Sequence, residues 1–128
     1  MKRKHRLKRA NDFRRVRAEG KSLGHPLMAL AFVPNGLPYS RVAVVAGRSV
    51  GRAVRRNRAK RRLRACVEQL FPHVQPGWDV IVYARPGVIE APFGTLLETM
   101  EHLLRRGGLW QALAVQESIE TSHERLSE

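Results

Sequence analysis

Two short apolar runs lie on either side of one long segment with helical periodicity. Residues 41–46 and 78–84 are rich in β-branched side chains, which strands favour. Residues 52–70, between them, carry apolar side chains three and four positions apart. A strand, a helix and a second strand in this order form a βαβ unit, for which general rules predict parallel strands and a right-handed crossover. The middle of the chain therefore predicts an α/β fold.

The first third of the chain predicts one helix and one further strand. Asn11 can cap a helix over residues 12–19, and Gly20 is placed to end it. Residues 27–33 form a continuous apolar run that is closed by a turn sequence rich in proline and glycine. We expect this run to pair antiparallel with the strand that follows it directly along the chain.

The last third returns to helical spacing. From Pro92, apolar residues recur at intervals of three and four until a Gly-Gly pair interrupts them. Residues 109–115 predict another helical turn or two, whereas residues 117–128 are polar and acidic and predict a flexible tail. We therefore expect one domain over residues 1–116, an α/β sandwich of one sheet packed by helices.

The net charge of +13 is distributed very unevenly along the chain. Residues 1–64 hold 20 of the 24 lysines and arginines with only two acids, and the second half holds nine of the eleven acids. Self-repulsion within the basic half destabilises a compact monomer, so a polyanion is the natural partner. Nucleic acid fits better than an anionic membrane, because the basic half has no long amphipathic helix with large apolar residues opposite its charges.

The basic charge is concentrated in residues 51–64, of which eight are cationic. On a helix of roughly 100° per residue, one apolar stripe about 100° wide would face the core. Cys66 lies in this stripe and is interpreted as a small buried hydrophobe. The stripe consists of Ala59, Leu63, Cys66, Val67 and Leu70. The remaining surface is cationic and includes Asn57, a poor helix former whose side chain both donates and accepts hydrogen bonds.

A merely solvated helix face normally mixes acids with bases. Here no acid occurs between Arg41 and Arg64, and like charges stand three and four residues apart. Such crowding costs free energy until phosphates neutralise it, and arginine suits planar bidentate contacts with phosphate. The segment therefore predicts a nucleic-acid contact.

The same segment, centred on Arg56-Asn57-Arg58, closely resembles the RNR signature of the bacterial ribonuclease P protein family. The opening Arg6-Leu7-Lys8-Arg9, followed by Asp12-Phe13, and the later run Asp79-Val80-Ile81-Val82-Tyr83-Ala84-Arg85-Pro86 are also similar to the family. The resemblance covers about residues 5–106. It implies an α-β sandwich with one mixed sheet of about four strands, packed by helices, and a βαβ crossover that is left-handed against the general rule.

The resemblance also implies the function and the binding residues. Members bind the catalytic RNA of ribonuclease P through the signature helix and hold the 5′ leader of precursor tRNA in a cleft, so that the leader is removed endonucleolytically. The implied RNA-binding residues are Arg52, Arg55, Arg56, Asn57, Arg58, Lys60, Arg61, Arg62 and Arg64. In the leader cleft the matching positions are Phe13 and Arg48, and we add Arg85 on its charge and its place at a strand end.

Two positions depart from the family pattern of the cleft. Arg17 stands where members often carry a second aromatic residue, and Ala31 stands where they carry a strand aromatic. Phe32 is adjacent but should point to the opposite face of its strand. We therefore expect leader binding to depend more on charge, with Arg17 among the leader-binding residues. Phe13 can either stack on a leader base or pack in the core, and the sequence favours neither.

The sequence predicts no catalytic or metal-binding residues on this chain. Metal-assisted cleavage of a phosphodiester needs clustered carboxylates, but Asp12 and Asp79 are the only aspartates, and no histidine has a second ligand at zinc spacing. We expect the catalytic centre on the RNA, with Mg²⁺ held mainly by RNA phosphates and no organic cofactor. This makes the chain one subunit of an endoribonuclease.

A different function remains open at this point. A structural RNA-binding protein, such as a ribosomal protein, would carry the same charge pattern, and a DNA-binding helix is a third hypothesis, although no helix-turn-helix pairing precedes the basic helix. The longest apolar run is far shorter than the roughly 20 residues of a membrane helix, and no secretory signal follows the basic start. We therefore expect a cytoplasmic protein whose partners are the catalytic RNA and precursor tRNA, with no membrane partner.

Overall fold

A computed structural model of the protein describes residues 1–113, which form three α-helices and one four-stranded sheet. The elements in chain order are α1 (Ala10–Glu19), β1 (Lys21–Gly24), β2 (Met28–Pro34), β3 (Arg41–Val45), α2 (Ala53–Leu70), β4 (Trp78–Ala84) and α3 (Phe93–Arg106). The predicted α/β class is confirmed. The predicted domain limit at residue 116 and the acidic tail over 117–128 lie outside the described residues.

The sheet is mixed and has the strand order β1-β2-β4-β3. Strands β3 and β4 are parallel, as the βαβ pattern predicted, and the other neighbours are antiparallel. The expectation that β2 pairs with β3 is wrong, because β4 lies between them and pairs with both. Strand β4 buries side chains on both of its faces, Ile81 on one and Val80 on the other, so an interior position suits it. The left-handed crossover stays a prediction.

The two faces of the sheet carry different helices. Met28, Leu30 and Phe32 point from β2 toward α2 and α3 and form the larger core. The intervening Ala31 and Val33 point toward α1 and form a smaller one. This alternation follows from the period of two in a strand, and it places Phe32 on the face opposite to α1, as predicted.

Helix α1 begins two residues before the predicted start. Arg9 precedes its first turn and provides no side-chain cap, so the prediction of Asn11 as the cap is wrong, because that residue already lies inside the helix. The end at Gly20 is as predicted. A Cβ atom at this position would lie 2.3 Å from the Val16 carbonyl oxygen and 2.8 Å from that of Phe32. Glycine is therefore required where the chain leaves α1 and enters β1.

Two further local predictions differ from the structure. Strand β1 was not predicted, because its four residues, Lys21–Gly24, contain a single apolar side chain. Residues 109–113 are not helical: the Leu109 amide donates to the Leu104 carbonyl, and Trp110 bridges to Val74 in an antiparallel arrangement. No helix within residues 1–113 is both long enough and apolar enough to cross a membrane.

Candidate RNA interface

Helix α2 divides along its length into a buried stripe and a charged surface. Ala59, Leu63, Cys66 and Val67 are buried in the larger core, and Leu70 packs against it, which confirms the predicted stripe. Burial raises the pKa of the Cys66 thiol to about 11. This thiol is therefore protonated at neutral pH and behaves as a core residue.

The side of α2 opposite the core carries four polar side chains, which we call the basic face: Asn57, Arg58, Arg61 and Arg64. All four are exposed. Val54, which is 79% exposed, lies among them and lines a shallow basin together with Asn57, Arg61 and Arg64. Within residues 1–113 no carboxylate forms an ion pair with any of these arginines. The exposed Glu68, one turn after Arg64, lies 3.3 Å from the N-terminal amine, so the three arginines of the basic face have no ion-pair partner among residues 1–113 and the face is cationic.

Other predicted residues lie at the margins of this face. Arg52 is exposed at the N-terminal cap position of α2, and Arg56 and Lys60 are half-buried on the side nearer the core. Arg55 is exposed, but its Nε donates to the Val50 carbonyl at 3.2 Å. Its terminal nitrogen also lies 3.7 Å from the exposed Glu90 carboxylate. Such an exposed pair contributes little, so Arg55 keeps much of its capacity to meet phosphate.

Arg62 is the exception among the predicted RNA-binding residues. Its guanidinium donates to the carbonyl oxygens of Val88, Ile89 and Ala91 at 2.6–2.7 Å. These carbonyls belong to the segment between β4 and α3, so Arg62 fastens that segment to α2. Because three of its five N–H donors are used inside the chain, we remove Arg62 from the RNA-binding set. The sequence offered no signal for this, since the three acceptors are backbone atoms almost 30 residues away.

The opposite face of the sheet forms the candidate leader cleft, which consists of Phe13, Arg17 and Tyr83. Phe13 is half-buried against the smaller core, and the Arg17 guanidinium lies 5.9 Å from the centre of its ring. Arg17 Nε donates to the Tyr83 hydroxyl at 3.2 Å. One ring, one cation and one phenol therefore lie together beside α1, which suits stacking on an unpaired base and contact with phosphate.

Sequence reasoning overlooked Tyr83. The alternation of β4 places Asp79, Ile81 and Tyr83 on the face toward α1, and this period of two was the signal that could have found it. Ala31 occupies the corresponding face of β2 and is buried. Tyr83, on the neighbouring strand β4, contributes an aromatic side chain to this face.

Arg48 and Arg85 lie at the same edge of the sheet. Each follows one of the two parallel strands, Arg48 in a short 3-10 turn after β3 and Arg85 directly after β4, and both are exposed. The Arg85 guanidinium extends toward Gly24 at the end of β1. The two cations therefore lie on either side of the C-terminal end of β4, just past Tyr83 of the cleft.

A cavity of about 380 Å³ connects the region of the cleft with α2. It lies beside the outer edge of β3, where the Leu7 amide of the N-terminal segment donates to the Val42 carbonyl at 3.1 Å. Its basic lining residues, Arg6, Lys8 and Arg64, outnumber the one acid, Glu68, which pairs with the N-terminal amine, and Phe13 contributes to its apolar wall. A positively charged path therefore joins the two candidate surfaces.

Both aspartates are held by arginines on the α1 side of the sheet. The Asp79 side chain is fully buried and accepts from Arg41 at 2.8 and 2.7 Å, from Asn35 at 3.0 Å, and from Arg15. Burial alone raises the pKa of Asp79, but these hydrogen bonds and the arginine charges outweigh it and lower the pKa below its usual range. Asp12 lies 3.5 Å from Arg41 and 3.8 Å from Arg15.

Comparison with known proteins places these features in one family. The family model described as Ribonuclease P matches residues 1–108 of the chain. A ribonuclease P protein component of Chloroflexus aurantiacus is 42% identical over 113 residues, covering 88% of this chain and 84% of the relative. Another of Herpetosiphon aurantiacus is 37% identical over 110 residues, covering 86% and 89%.

Solved structures agree with the sequence comparison. The RNase P protein from Thermotoga maritima is 33% identical and superposes with a TM-score of 0.71, covering 79% of this chain and 96% of that one. The Staphylococcus aureus RNase P protein, at 24% identity, has the same fold with a TM-score of 0.73, covering 84% and 98%.

Proposed function

The chain belongs to the ribonuclease P protein family and is a protein subunit of that endoribonuclease, and on this premise we propose which of its surfaces meets each RNA. The basic face of α2 binds the catalytic RNA. The cleft of Phe13, Arg17 and Tyr83 holds the 5′ leader of precursor tRNA, with Arg48 and Arg85 at its edge. Partnership with the two RNAs belongs to the family; the residue assignment is ours.

The cationic charge of the basic face carries the assignment of the catalytic RNA. Arg58, Arg61 and Arg64 project from one side of a rigid helix whose other side is fixed in the core. Rigid placement keeps the entropic cost of docking small, and each phosphate contact releases counterions. Asn57 lies between these cations and can donate to or accept from a base edge or a ribose hydroxyl.

Charge and stacking together support the leader assignment. Phe13 is half-buried, so one side of the ring packs on the smaller core while the exposed part is available to a base. Arg17 and the two cations at the sheet edge can track the phosphates of an extended strand. Binding the leader favours precursor over mature tRNA, because the product lacks the segment that makes these contacts.

The same proposal leaves the metal chemistry to the RNA. In the part of the chain from residue 1 to 113, no three His, Cys, Asp or Glu side chains converge, and Asp12 and Asp79 are engaged by arginines. Mg²⁺ held by RNA phosphates would supply the nucleophile and stabilise the leaving oxygen. The protein's residues bind and orient the two RNAs. A cytoplasmic location is part of this proposal.

Reconstitution tests the proposal. The purified chain is added to the catalytic RNA at a low magnesium concentration at which the RNA alone is slow, and release of the leader from a labelled precursor is followed. We expect the wild-type chain to restore processing and a variant with Arg58→Gln, Arg61→Gln and Arg64→Gln to require far more protein. Stimulation that is unchanged in this variant would move the RNA contact elsewhere. A chain that binds RNA without any stimulation would instead behave as a structural RNA-binding protein.

A further inference from the structure

We propose that Arg15 and Asp79 are positioning residues for leader binding: their ion pair sets the rotation of α1 about its own axis and thereby the place of Phe13 and Arg17 in the cleft. The inference rests on the proposed leader contact. Neither residue faces the leader itself, because Asp79 is fully buried and Arg15 is turned toward it.

Helix α1 has a small hydrophobic anchor. Of its ten residues, Val16 is the one whose side chain is buried, and Phe13 is only half-buried. A single buried side chain holds a helix against a sheet but leaves rotation about the helix axis weakly determined. The polar contacts of α1 are therefore expected to decide its orientation.

These contacts lie on opposite flanks of Val16. At roughly 100° per residue, Phe13 and Arg17 lie about 60° and 100° from Val16 on one flank, whereas Asp12 and Arg15 lie about 40° and 100° from it on the other. A rotation that moves one flank away from the sheet must move the other flank toward it.

The sheet offers partners to both flanks, and on the flank of Arg15 these include Arg41 of β3, which lies 3.5 Å from Asp12. Helix α1 crosses the sheet, since the chain just before it hydrogen-bonds to Val42 of β3 and the chain just after it becomes β1 at the far edge. Beneath it, β4 places Asp79 on the side of Arg15 and Tyr83 on the side of Arg17. The Arg15–Asp79 ion pair and the Arg17–Tyr83 hydrogen bond thus hold α1 from both sides.

The contact of Arg15 is the stronger of the two. Arg15 donates to the Asp79 carboxylate and also to the Pro34 carbonyl at 3.0 Å, so its guanidinium spans β4 and the end of β2. Asp79 is itself fixed by two hydrogen bonds from Arg41. A guanidinium held at two points against a rigid, buried acceptor has little freedom, whereas the exposed Arg17–Tyr83 contact must yield when the leader enters.

Removing Arg15 isolates this role, because Asp79 keeps Arg41 and Asn35 as partners. Arg15→Gln is compared with Arg14→Gln, which removes the same charge from an exposed neighbour on α1. Each variant is assembled with the catalytic RNA, and its affinity is measured for precursor tRNA with a leader and for the same tRNA without one. The ratio of the two affinities is the leader preference.

We expect Arg15→Gln to lower the leader preference by roughly fivefold, which corresponds to the lower end of one lost base stack. Affinity for leaderless tRNA and for the catalytic RNA should stay unchanged, and Arg14→Gln should match the wild type. Equal effects of the two variants, or an unchanged preference in Arg15→Gln, would overturn the inference. If Arg15→Gln also loses affinity for the catalytic RNA, the variant has misfolded, and Arg15→Lys is compared with Arg14→Lys instead. A lower leader preference in Arg15→Lys than in Arg14→Lys then supports the inference, and equal preferences overturn it.

Direct cleft variants separate this inference from the proposed function. Phe13→Ala and Arg17→Gln should each lower the leader preference. If they do and Arg15→Gln does not, only the positioning role fails. If neither cleft variant changes the preference, the leader is bound elsewhere and both proposals fall.

Discussion

Neutralising the basic face should change how strongly RNA binding depends on salt. The variant with Arg58→Gln, Arg61→Gln and Arg64→Gln removes three exposed cations from one side of α2 and leaves its buried stripe intact. Each lost phosphate contact lowers the slope of log affinity against log salt by about 0.7–0.9. Three contacts lower it by about 2.1–2.7. Between 50 and 200 mM salt the wild type should therefore lose roughly 20–40-fold more affinity than the variant.

The assay is a titration of labelled catalytic RNA with protein at four or five salt concentrations, at fixed magnesium. A matched control carries Arg14→Gln, Lys21→Gln and Arg106→Gln, which remove the same charge from three exposed positions on other elements. We expect the control to keep a slope close to that of the wild type. Equal slopes for the variant and the control would show that only net charge matters, and would refute the assignment of a specific face.

Three variants test the packing of α2 and the buried charge of Asp79. Leu63→Ala removes a fully buried side chain of α2 and should lower the free energy of unfolding by about 2–5 kcal/mol. The slope of log affinity for RNA against log salt should stay the same. An unchanged calorimetric melt would contradict the assignment of Leu63 to the core. Arg62→Met should lower stability, since three carbonyls lose their donor, and should leave the salt slope intact; a slope reduced by about one unit would return Arg62 to the RNA-binding set. The pKa of Asp79 is below its usual range in the native state, so the stabilisation by this carboxylate is complete above the unfolded pKa of about 4 and is lost as the pH falls through the native pKa. Asp79→Asn should therefore flatten the acid side of the curve of unfolding free energy against pH. An equally steep loss of stability in acid in this variant would assign the loss to other groups.

The sequence was sufficient for the elements that have strong periodicity. Strand β4 has the predicted bounds, α2 is one residue shorter than predicted, and the buried stripe of α2 was identified residue by residue. The parallel pairing of β3 and β4 also followed, because a crossover helix separates them. These features depend on the spacing of apolar residues within each segment, which can be seen directly in the sequence.

Features that depend on distant partners were not predictable. Strand β4 lies between β2 and β3 because it buries side chains on both of its faces. The sequence of the turn over residues 34–40, which joins β2 to β3, contains no signal that the two strands are separated. Arg62 has the same local pattern as Arg61, yet one is fastened to backbone carbonyls and the other is exposed. The arginine partners of Asp79 come from α1 and β3 and could not be identified from spacing.

Localised cleavage of the catalytic RNA tests the docking of α2 most directly. Cys66 is buried with its pKa raised to about 11, so a thiol introduced by Asn57→Cys is the reactive one among residues 1–113, and it can carry an iron chelate that cuts nearby RNA. Glu98→Cys, on the exposed surface of α3, is the control. We predict cuts confined to one region of the catalytic RNA from position 57 and few from position 98. Strong cuts from position 98 with none from position 57 would contradict docking through the basic face.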